Sequence, residues 1–217
     1  IESFYHFLLE CLPKVEMSRP WWHAIDFFFV NGRSGSYVER WLNHAGIPSE
    51  KLIWIGDLDH FSCDQLLFTN MLTRHHYVTP LVLRHLHTLW PRGKHGTGVK
   101  KIWISRRHAF ERHLRWEDTL LEQFPDFEII EMQTLMPDRQ LELFRSARVI
   151  AGPHGAGLAG MVFAPTDAMV FEFFETHSRG MNACFSRLAQ VSGIKHQIIP
   201  IDFSKRQDVS WLIQYIK

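Results

Sequence analysis

The chain has 217 residues, enough for one large domain or two small ones, and it is 46% hydrophobic and 22% charged, as globular proteins are. Its 24 Lys and Arg residues nearly balance its 23 Asp and Glu residues, so its net charge favours neither nucleic acid nor a membrane as a partner. No apolar run reaches 18 residues and no signal peptide is recognisable, so we expect no membrane span in this chain.

The three cysteines, Cys11, Cys63 and Cys184, are widely spaced and odd in number. This pattern is typical of a reducing compartment and not of a disulfide scaffold. We therefore expect a cytoplasmic protein, or one in the secretory-pathway lumen if an N-terminal anchor has been removed.

Residues 1–93 predict a first α/β unit. Apolar spacing and end signals indicate helices at 3–12, 37–46 and 79–90 and strands at 24–30 and 51–55. Thr79 and Pro80 are typical of the N-cap and first turn of a helix. The segment 91–98, PRGKHGTG, is rich in Pro, Gly and charge and predicts a linker.

Residues 98–217 predict a second unit in which strands and helices alternate. The strands are expected at 101–105, 127–132, 148–152, 168–174 and 195–200, and the helices at 116–124, 137–147 and 182–192, with a short one at 158–164. Short crossovers between apolar strands indicate a parallel sheet covered on both faces. The prediction is an α/β fold of two Rossmann-like units, with parallel sheets flanked by helices and a ligand site in the cleft between the units.

The segment 149–160, VIAGPHGAGLAG, follows a predicted buried strand and carries four glycines around His154. Glycines allow the backbone to approach a ligand closely, and the N–H groups that begin a helix attract anions. The pattern favours a phosphate site in which His154 contacts a phosphate oxygen. Two alternatives stay open: a tight strand-to-helix turn with His154 as an ordinary turn residue, and a dinucleotide site, although the following helix is short for the latter.

The segments 152–165, GPHGAGLAGMVFAP, and 168–174, AMVFEFF, resemble the signature of glycosyltransferase family 61. Further resemblances follow the order of that family: SFYHFLLECLPK (3–14), with Phe7 where Trp is common, WISRRHAFERHLRWED (103–118), with Trp116 in place of Asn, and RLAQVSGIKH (187–196). The resemblance spans nearly the whole chain and is thin between residues 16 and 96.

The resemblance implies a GT-B-like pair of domains, a nucleotide-sugar donor and inversion at the anomeric carbon. We expect a hexosyl- or pentosyltransferase that moves a sugar from a UDP- or GDP-sugar to a hydroxyl of a glycan or other glycoconjugate acceptor. No divalent metal and no other cofactor are expected.

The leaving diphosphate of such a donor needs cations or N–H dipoles around it. We expect backbone donors at Gly155, Ala156, Gly157 and Leu158. Arg106, which follows the strand at 101–105, would add an always-charged fork, and Arg107 is a secondary candidate. A surface ion pair is the alternative role for Arg106.

Two acids are further candidates at the donor site. Glu172, expected at the end of its strand, is predicted to accept hydrogen bonds from ribose hydroxyls, unless it is only a solvated strand end. Glu117 is a secondary candidate, because the helix dipole already explains an acid in a first turn.

His6 and Glu10 lie four residues apart on one face of the predicted first helix. A carboxylate beside an imidazole fixes its orientation and raises its basicity, which suits a general base for the acceptor hydroxyl. The alternative is a hydrogen bond on a helix face that has no catalytic role.

A different mechanism would use Asp57 and Asp59, which follow the strand at 51–55 in the segment GDLDH and lie next to His60. Carboxylates in an Asp-x-Asp pattern hold Mn²⁺ or Mg²⁺ against a diphosphate in metal-dependent transferases of the GT-A type. A third possibility is a nucleotide-binding domain that has no catalytic base.

Overall fold

The computed structural model describes residues 3–73, 77–176 and 183–216. The chain divides into two compact units, the first comprising residues up to Pro91 with Met136–Asp138, and the second comprising Arg92–Leu135 and the chain from Arg139 onwards. Within the described ranges, no helix combines the length and the apolar character needed to cross a membrane.

The first unit begins with a continuous helical stretch that changes its winding three times. It consists of α1 (Phe4–His6), a π-helix (Phe7–Cys11), α2 (Leu12–Ser18) and a 3₁₀ helix (Arg19–Ala24). Its buried side chains include Phe7, Leu8, Leu9 and Leu12. The stretch is therefore held by a buried apolar face, as is usual for helices in proteins.

The rest of the first unit contains a small parallel sheet. Strand β1 (Phe28–Asn31) pairs with β2 (Leu52–Ile55). The helices are α3 (Tyr37–His44), a 3₁₀ helix (Ser49–Lys51) and α4 (Pro80–Leu89). β1 is displaced from the predicted strand at 24–30 because the preceding 3₁₀ helix extends to Ala24.

The second unit contains a five-stranded parallel sheet in the order β4-β3-β5-β6-β7. Its strands are β3 (Lys100–Ile104), β4 (Phe127–Ile130), β5 (Ala147–Pro153), β6 (Met169–Glu175) and β7 (Lys195–Ile201). Its longer helices are α5 (Glu117–Leu121), α6 (Pro137–Arg145), which begins at the boundary of the units, and α7 (Cys184–Ser192), with α8 (Ile213–Ile216) near the end. 3₁₀ helices span Met132–Thr134, Ala156–Phe163 and Ser210–Leu212.

This architecture confirms the predicted α/β class with parallel sheets flanked by helices. The predicted end of α7 is also confirmed, since Gly193 follows it with a φ of 66° in the left-handed region. Asn182, the first residue of the predicted 182–192 helix, lies outside the described residues.

The predicted linker at 91–98 packs onto the second unit. Arg92 donates hydrogen bonds to the carbonyl oxygens of Ala164 and Ser192. The Gly93 N–H donates to the Phe163 carbonyl oxygen at 2.8 Å. The composition of this segment predicted a linker, but Arg92 and Gly93 are hydrogen-bonded into the second unit.

Candidate functional site

The segment Gly152–Gly160, which we call the glycine turn, connects a central strand to a short helix. Strand β5 ends at Pro153, and the 3₁₀ helix begins at Ala156. β5 lies between β3 and β6. Because all of these strands are parallel, the turn lies at the carboxyl edge of the sheet, the edge at which α/β folds bind ligands.

Two glycines of the turn are required by packing. A Cβ on Gly152 would lie 2.6 Å from the Ile104 carbonyl oxygen, and a Cβ on Gly160 would lie 2.6 Å from Phe144 Cδ2. Neither glycine has a positive φ. The tight-turn alternative therefore accounts for these two positions.

Gly157 is also tightly enclosed. A Cβ at this position would lie 2.9 Å from Ile104 Cγ2 and 3.1 Å from Met132 Cγ. A large side chain here would disturb the packing, so loss of ligand binding in such a variant would not by itself identify a phosphate site.

Gly155 lies directly against Arg106. A Cβ on Gly155 would collide with the guanidinium and lie 2.8 Å from Arg106 Cδ. Arg106 donates from Nη2 to the Glu111 carbonyl oxygen at 2.9 Å, whereas its Nε is buried and has no hydrogen-bond partner within the described ranges. A buried N–H without a partner is a position that a bound anion would satisfy.

Two charged side chains, Arg112 and Glu111, act on Arg106. Burial lowers the pKa of Arg106, and the charge of Arg112 lowers it further, while Glu111 acts in the opposite sense. Arg112 is exposed and has a φ of 56°, which is uncommon for a residue with a Cβ. An anion bound here would reduce the repulsion between the two guanidinium groups.

The 3₁₀ helix that begins within the glycine turn leaves fewer backbone donors than predicted. Leu158 is buried and donates its N–H to the Gly155 carbonyl oxygen at 3.0 Å, so this N–H is engaged within the turn. Ala156 and Gly157 are partly exposed, and the first N–H groups of a helix have no acceptor inside it. The remaining backbone candidates are Gly155, Ala156 and Gly157.

His154 is buried and its ring contacts two aromatic side chains. The ring centroids of Phe174 and Phe185 are 5.0 and 5.1 Å from that of His154. His154 Nδ1 is hydrogen-bonded to Glu172 Oε1. Only Nε2 is therefore left for a further partner such as a phosphate oxygen.

Glu172 lies in the middle of β6 and has 0% exposure. Its Oε1 contacts His154, and its Oε2 lies 2.8 Å from His196 Nε2. Burial raises the pKa of the Glu172 carboxyl, but the hydrogen bonds and charges of both histidines outweigh it, so the net shift is downward. The predicted ribose contact is not compatible with this burial.

The hydrogen-bonded chain continues beyond Glu172. His196 Nδ1 lies 3.3 Å from Ser186 Oγ on α7. The buried Cys184 lies nearby, and burial, together with the charge of Glu172, raises the pKa of its thiol to about 11. This cysteine is therefore a neutral packing residue at ordinary pH.

Arg107 and Glu117 form a separate arrangement around the start of α5. Arg107 Nη2 lies 2.9 Å from Asp118 Oδ1 and 3.7 Å from Glu117 Oε1. Glu117 is 3% exposed, and its Oε1 accepts a hydrogen bond from Trp103 Nε1 at 2.9 Å. Arg107 thus lies beside two acids, unlike Arg106.

His6 and Glu10 meet in the first unit, as their spacing predicts. His6 Nδ1 lies 3.0 Å from Glu10 Oε1, and the side chains are 40% and 17% exposed. Glu10 lies within the π-helix Phe7–Cys11 and His6 directly precedes it; this type of distortion is frequent at functional sites. The geometry is that of a partly exposed imidazole that a carboxylate orients.

Asp57, Asp59 and His60 lie in an exposed loop after β2. Asp59 Oδ2 accepts the Gly56 N–H at 2.7 Å, and Asp57 Oδ1 lies 3.4 Å from Asn31 Nδ2. In residues 3–73, 77–176 and 183–216, no three His, Cys, Asp or Glu side chains are grouped so that they could hold a metal ion.

A family model for glycosyltransferase 61 matches residues 4–171, which include the His6–Glu10 pair, Arg106 and the glycine turn. The chain belongs to glycosyltransferase family 61. The match ends within β6, one residue before Glu172. Of the hydrogen-bonded side chains described above, Glu172, His196 and Ser186 therefore lie beyond the match.

The chain is also similar to the EGF domain-specific O-linked N-acetylglucosamine transferase of Drosophila melanogaster. The two are 27% identical over 104 residues, which make up 46% of this chain and 19% of that protein. The similarity thus covers about a fifth of the relative's length.

Sequence reasoning missed His196, Ser186 and Arg112. His196 is the last residue of the segment 187–196 that resembles the family's closing helix. The contact of His196 with Glu172 could be found only from the register of the sheet. In that register His196 pairs with Val170, which lies two residues before Glu172 and on the same face. No sequence pattern indicated Arg112, because a left-handed backbone at a residue with a Cβ is not visible in the sequence.

Proposed function

We propose that this protein is an inverting, metal-independent glycosyltransferase that moves a sugar from a UDP- or GDP-sugar to a hydroxyl of a glycan or other glycoconjugate. In this proposal, Arg106 and the first N–H groups of the 3₁₀ helix within the glycine turn stabilise the negative charge of the leaving diphosphate. Charges and dipoles already aimed at a developing anion need no reorganisation during the reaction, which is why such sites accelerate it.

The observation that carries the proposal is the contact between Gly155 and Arg106. It brings an arginine whose buried Nε has no hydrogen-bond partner among the residues that the structure describes to the start of the 3₁₀ helix at the carboxyl edge of the sheet. An arginine fork and helix N–H groups both bind phosphate oxygens. Family membership supports the assignment of this anion as part of a sugar donor.

The test of this proposal is Ala156→Pro, which removes one N–H from the site with little change to the backbone. Proline is tolerated at the first position of a helix and requires an extended preceding residue. Gly155 is extended, with φ of −179° and ψ of 159°. The affinity for UDP or GDP should fall about tenfold to a hundredfold, as expected for a lost hydrogen bond to a charged group.

Affinity is measured by calorimetry and by the ligand-dependent rise in melting temperature, each with and without EDTA. Ala156→Gly keeps the N–H and serves as the matched control. Unchanged affinity in a folded Ala156→Pro protein would contradict the proposed diphosphate site. A shift that EDTA abolishes would contradict metal independence and favour the alternative that uses Asp57 and Asp59.

We further propose that His6 is the general base and that Glu10 orients it. The motive is their 3.0 Å contact and the 40% exposure of the imidazole, which makes it accessible to an acceptor. His6→Ala should lower kcat by about a hundredfold or more while donor affinity stays within a factor of about two, and Glu10→Gln should have a smaller effect on kcat.

His23→Ala, at an exposed histidine of the same unit, is the control for the His6 variants. Loss of donor affinity in His6→Ala would show that His6 contacts the donor. Full turnover of His6→Ala would show that another residue is the general base. If the wild type binds a nucleotide but shows no turnover, the alternative of a nucleotide-binding domain without catalysis would be favoured.

The Drosophila relative suggests the first substrates to assay. Its name describes transfer of N-acetylglucosamine to EGF domains. We propose a nucleotide-linked N-acetylglucosamine as the first donor and a protein hydroxyl as the first acceptor to be tested, with product formation followed by mass spectrometry.

A further inference from the structure

A chain of polar side chains runs from α7 through two strands to the glycine turn. It connects Ser186 Oγ to His196 Nδ1 at 3.3 Å, His196 Nε2 to Glu172 Oε2 at 2.8 Å, and Glu172 Oε1 to His154 Nδ1. The side chains of Glu172, His154 and His196 are 1%, 10% and 6% exposed. Solvent therefore contributes little to satisfying their hydrogen bonds, and each depends on its neighbours.

The direction of the protons in this chain follows from the donors that each group offers. An ionised carboxylate only accepts, so His154 Nδ1 and His196 Nε2 both carry hydrogen toward Glu172. His196 Nδ1 is then the acceptor for the Ser186 hydroxyl. With this arrangement, every hydrogen bond of the chain has one donor and one acceptor.

Removal of His196 would leave one oxygen of a fully buried carboxylate without a donor. A charge that loses its partner in such a place is strongly disfavoured, and the group takes up a proton instead. A protonated Glu172 would donate to His154 Nδ1, and the hydrogen on the His154 ring would then move to Nε2.

We propose that His196 is a positioning residue that acts through Glu172 and fixes His154 as the tautomer with hydrogen on Nδ1. Nε2 of His154 is thereby kept as the ring nitrogen that faces a ligand at the glycine turn. It can take up a second proton and donate to a phosphate oxygen while Nδ1 stays bound to the carboxylate. This ligand role of Nε2 rests on the proposed diphosphate site, whereas the tautomer does not.

The tautomer is measured directly by ¹⁵N–¹H correlation of ¹⁵N-histidine-labelled protein without ligand, with the His154 signals assigned from a His154→Gln variant. The wild type should show His154 protonated at Nδ1. His196→Phe should move the proton to Nε2. His196→Gln should keep the wild-type pattern, because the glutamine amide can donate to Glu172 from nearly the same place.

His95→Phe, at an exposed histidine of the same unit, is the control and should leave the His154 signals unchanged. A wild-type His154 with its hydrogen on Nε2 would overturn the proposal, even if no variant folds. An unchanged His154 tautomer in folded His196→Phe would overturn it as well.

The ligand role is tested in the same variants by calorimetry with UDP and GDP. His196→Phe should bind the better of the two nucleotides about tenfold or more weakly, the usual loss when the partner that orients a binding imidazole is removed, and His196→Gln should recover most of it. Failure of the wild type to bind either nucleotide would contradict the proposed function and, with it, the ligand role of Nε2, whereas the tautomer result would stand.

Discussion

Glu172 is a buried carboxylate that two imidazoles share, and it links β6 to the glycine turn and to β7. At the scale of single residues, this sharing explains why the carboxyl stays ionised in spite of its burial. Each histidine donates to a different oxygen, so neither oxygen has to be satisfied by water.

The lowered pKa of Glu172 predicts how its contribution to stability depends on pH. A folded-state pKa below the unfolded value, about 4.3, stabilises the native protein above that value. This contribution is lost as the pH falls through the lower, folded-state pKa. The difference in unfolding free energy between wild type and Glu172→Gln should therefore shrink as the pH falls from about 5 toward 3.

Urea denaturation at several pH values measures this difference. Glu128→Gln, at a partly exposed glutamate of the same sheet, is the control for general acid effects. A difference that stays constant or grows toward low pH would contradict the assignment of Glu172 as an ionised group with a depressed pKa.

The sequence predicted some of these residue contacts and could not predict others. The contact between His6 and Glu10 depends only on a local spacing along one helix, which the sequence contains. The contact between Glu172 and His196 depends on the register of two strands, and the burial of Glu172 depends on α7, so neither could be derived from the local pattern.

At the scale of elements, the 3₁₀ helix Ala156–Phe163 packs against α6 through the bare backbone of Gly160. We predict that Gly160→Ala destabilises the protein by about 1–3 kcal/mol, since its Cβ would collide with the Phe144 ring and overpack the core. Phe144→Leu in the same background should restore part of this loss, because it makes room for the added methyl group.

A double-mutant cycle by urea denaturation checks this coupling. Gly56→Ala is the control, because a Cβ there meets only the Asp59 carboxylate at an ordinary 3.6 Å. Equal losses from Gly160→Ala in the presence and absence of the Phe144 ring would contradict the packing explanation for this glycine.

Helices and strands of the second unit follow the sequence prediction closely, and their ends follow it less well. The helix predicted at 116–124 is limited to Glu117–Leu121, and the strand predicted at 127–132 ends at Ile130, where a 3₁₀ helix follows. Apolar alternation predicts that an element exists, whereas its ends depend on tertiary contacts. The π-helix Phe7–Cys11 has no sequence signal of this kind.

At the scale of the whole molecule, Arg92 joins the start of the second unit to two distant parts of it. Its guanidinium donates to Ala164 at 2.9 and 2.6 Å and to Ser192 at 2.8 Å. We predict that Arg92→Ala lowers the unfolding free energy by about 1.5–3 kcal/mol, the range for hydrogen bonds from a charged group. Arg92→Lys should lose less, because it keeps the charge but not the planar fork.

Chemical denaturation measures both variants, and Arg84→Ala at an exposed arginine is the matched control. No loss in Arg92→Ala would contradict the role of this residue as an anchor. The sequence predicted a linker at 91–98 from its Pro, Gly and charge, but composition alone does not show which carbonyl groups at distant helix ends accept hydrogen bonds from it.

The π-helix has a consequence for any mapping of the first helical stretch. Its wide turn, in which the Leu12 N–H bonds back to the Phe7 carbonyl, inserts one residue relative to ordinary winding. Residues before and after it are therefore out of phase by about 100°, the rotation of one α-helical residue. A helical wheel drawn through Tyr5–Ser18 as one ideal helix would assign the wrong surface to His6. Deletion of a single residue between 7 and 11 should therefore restore ordinary α-helical winding and leave His6 in nearly its present direction relative to the apolar face of α2.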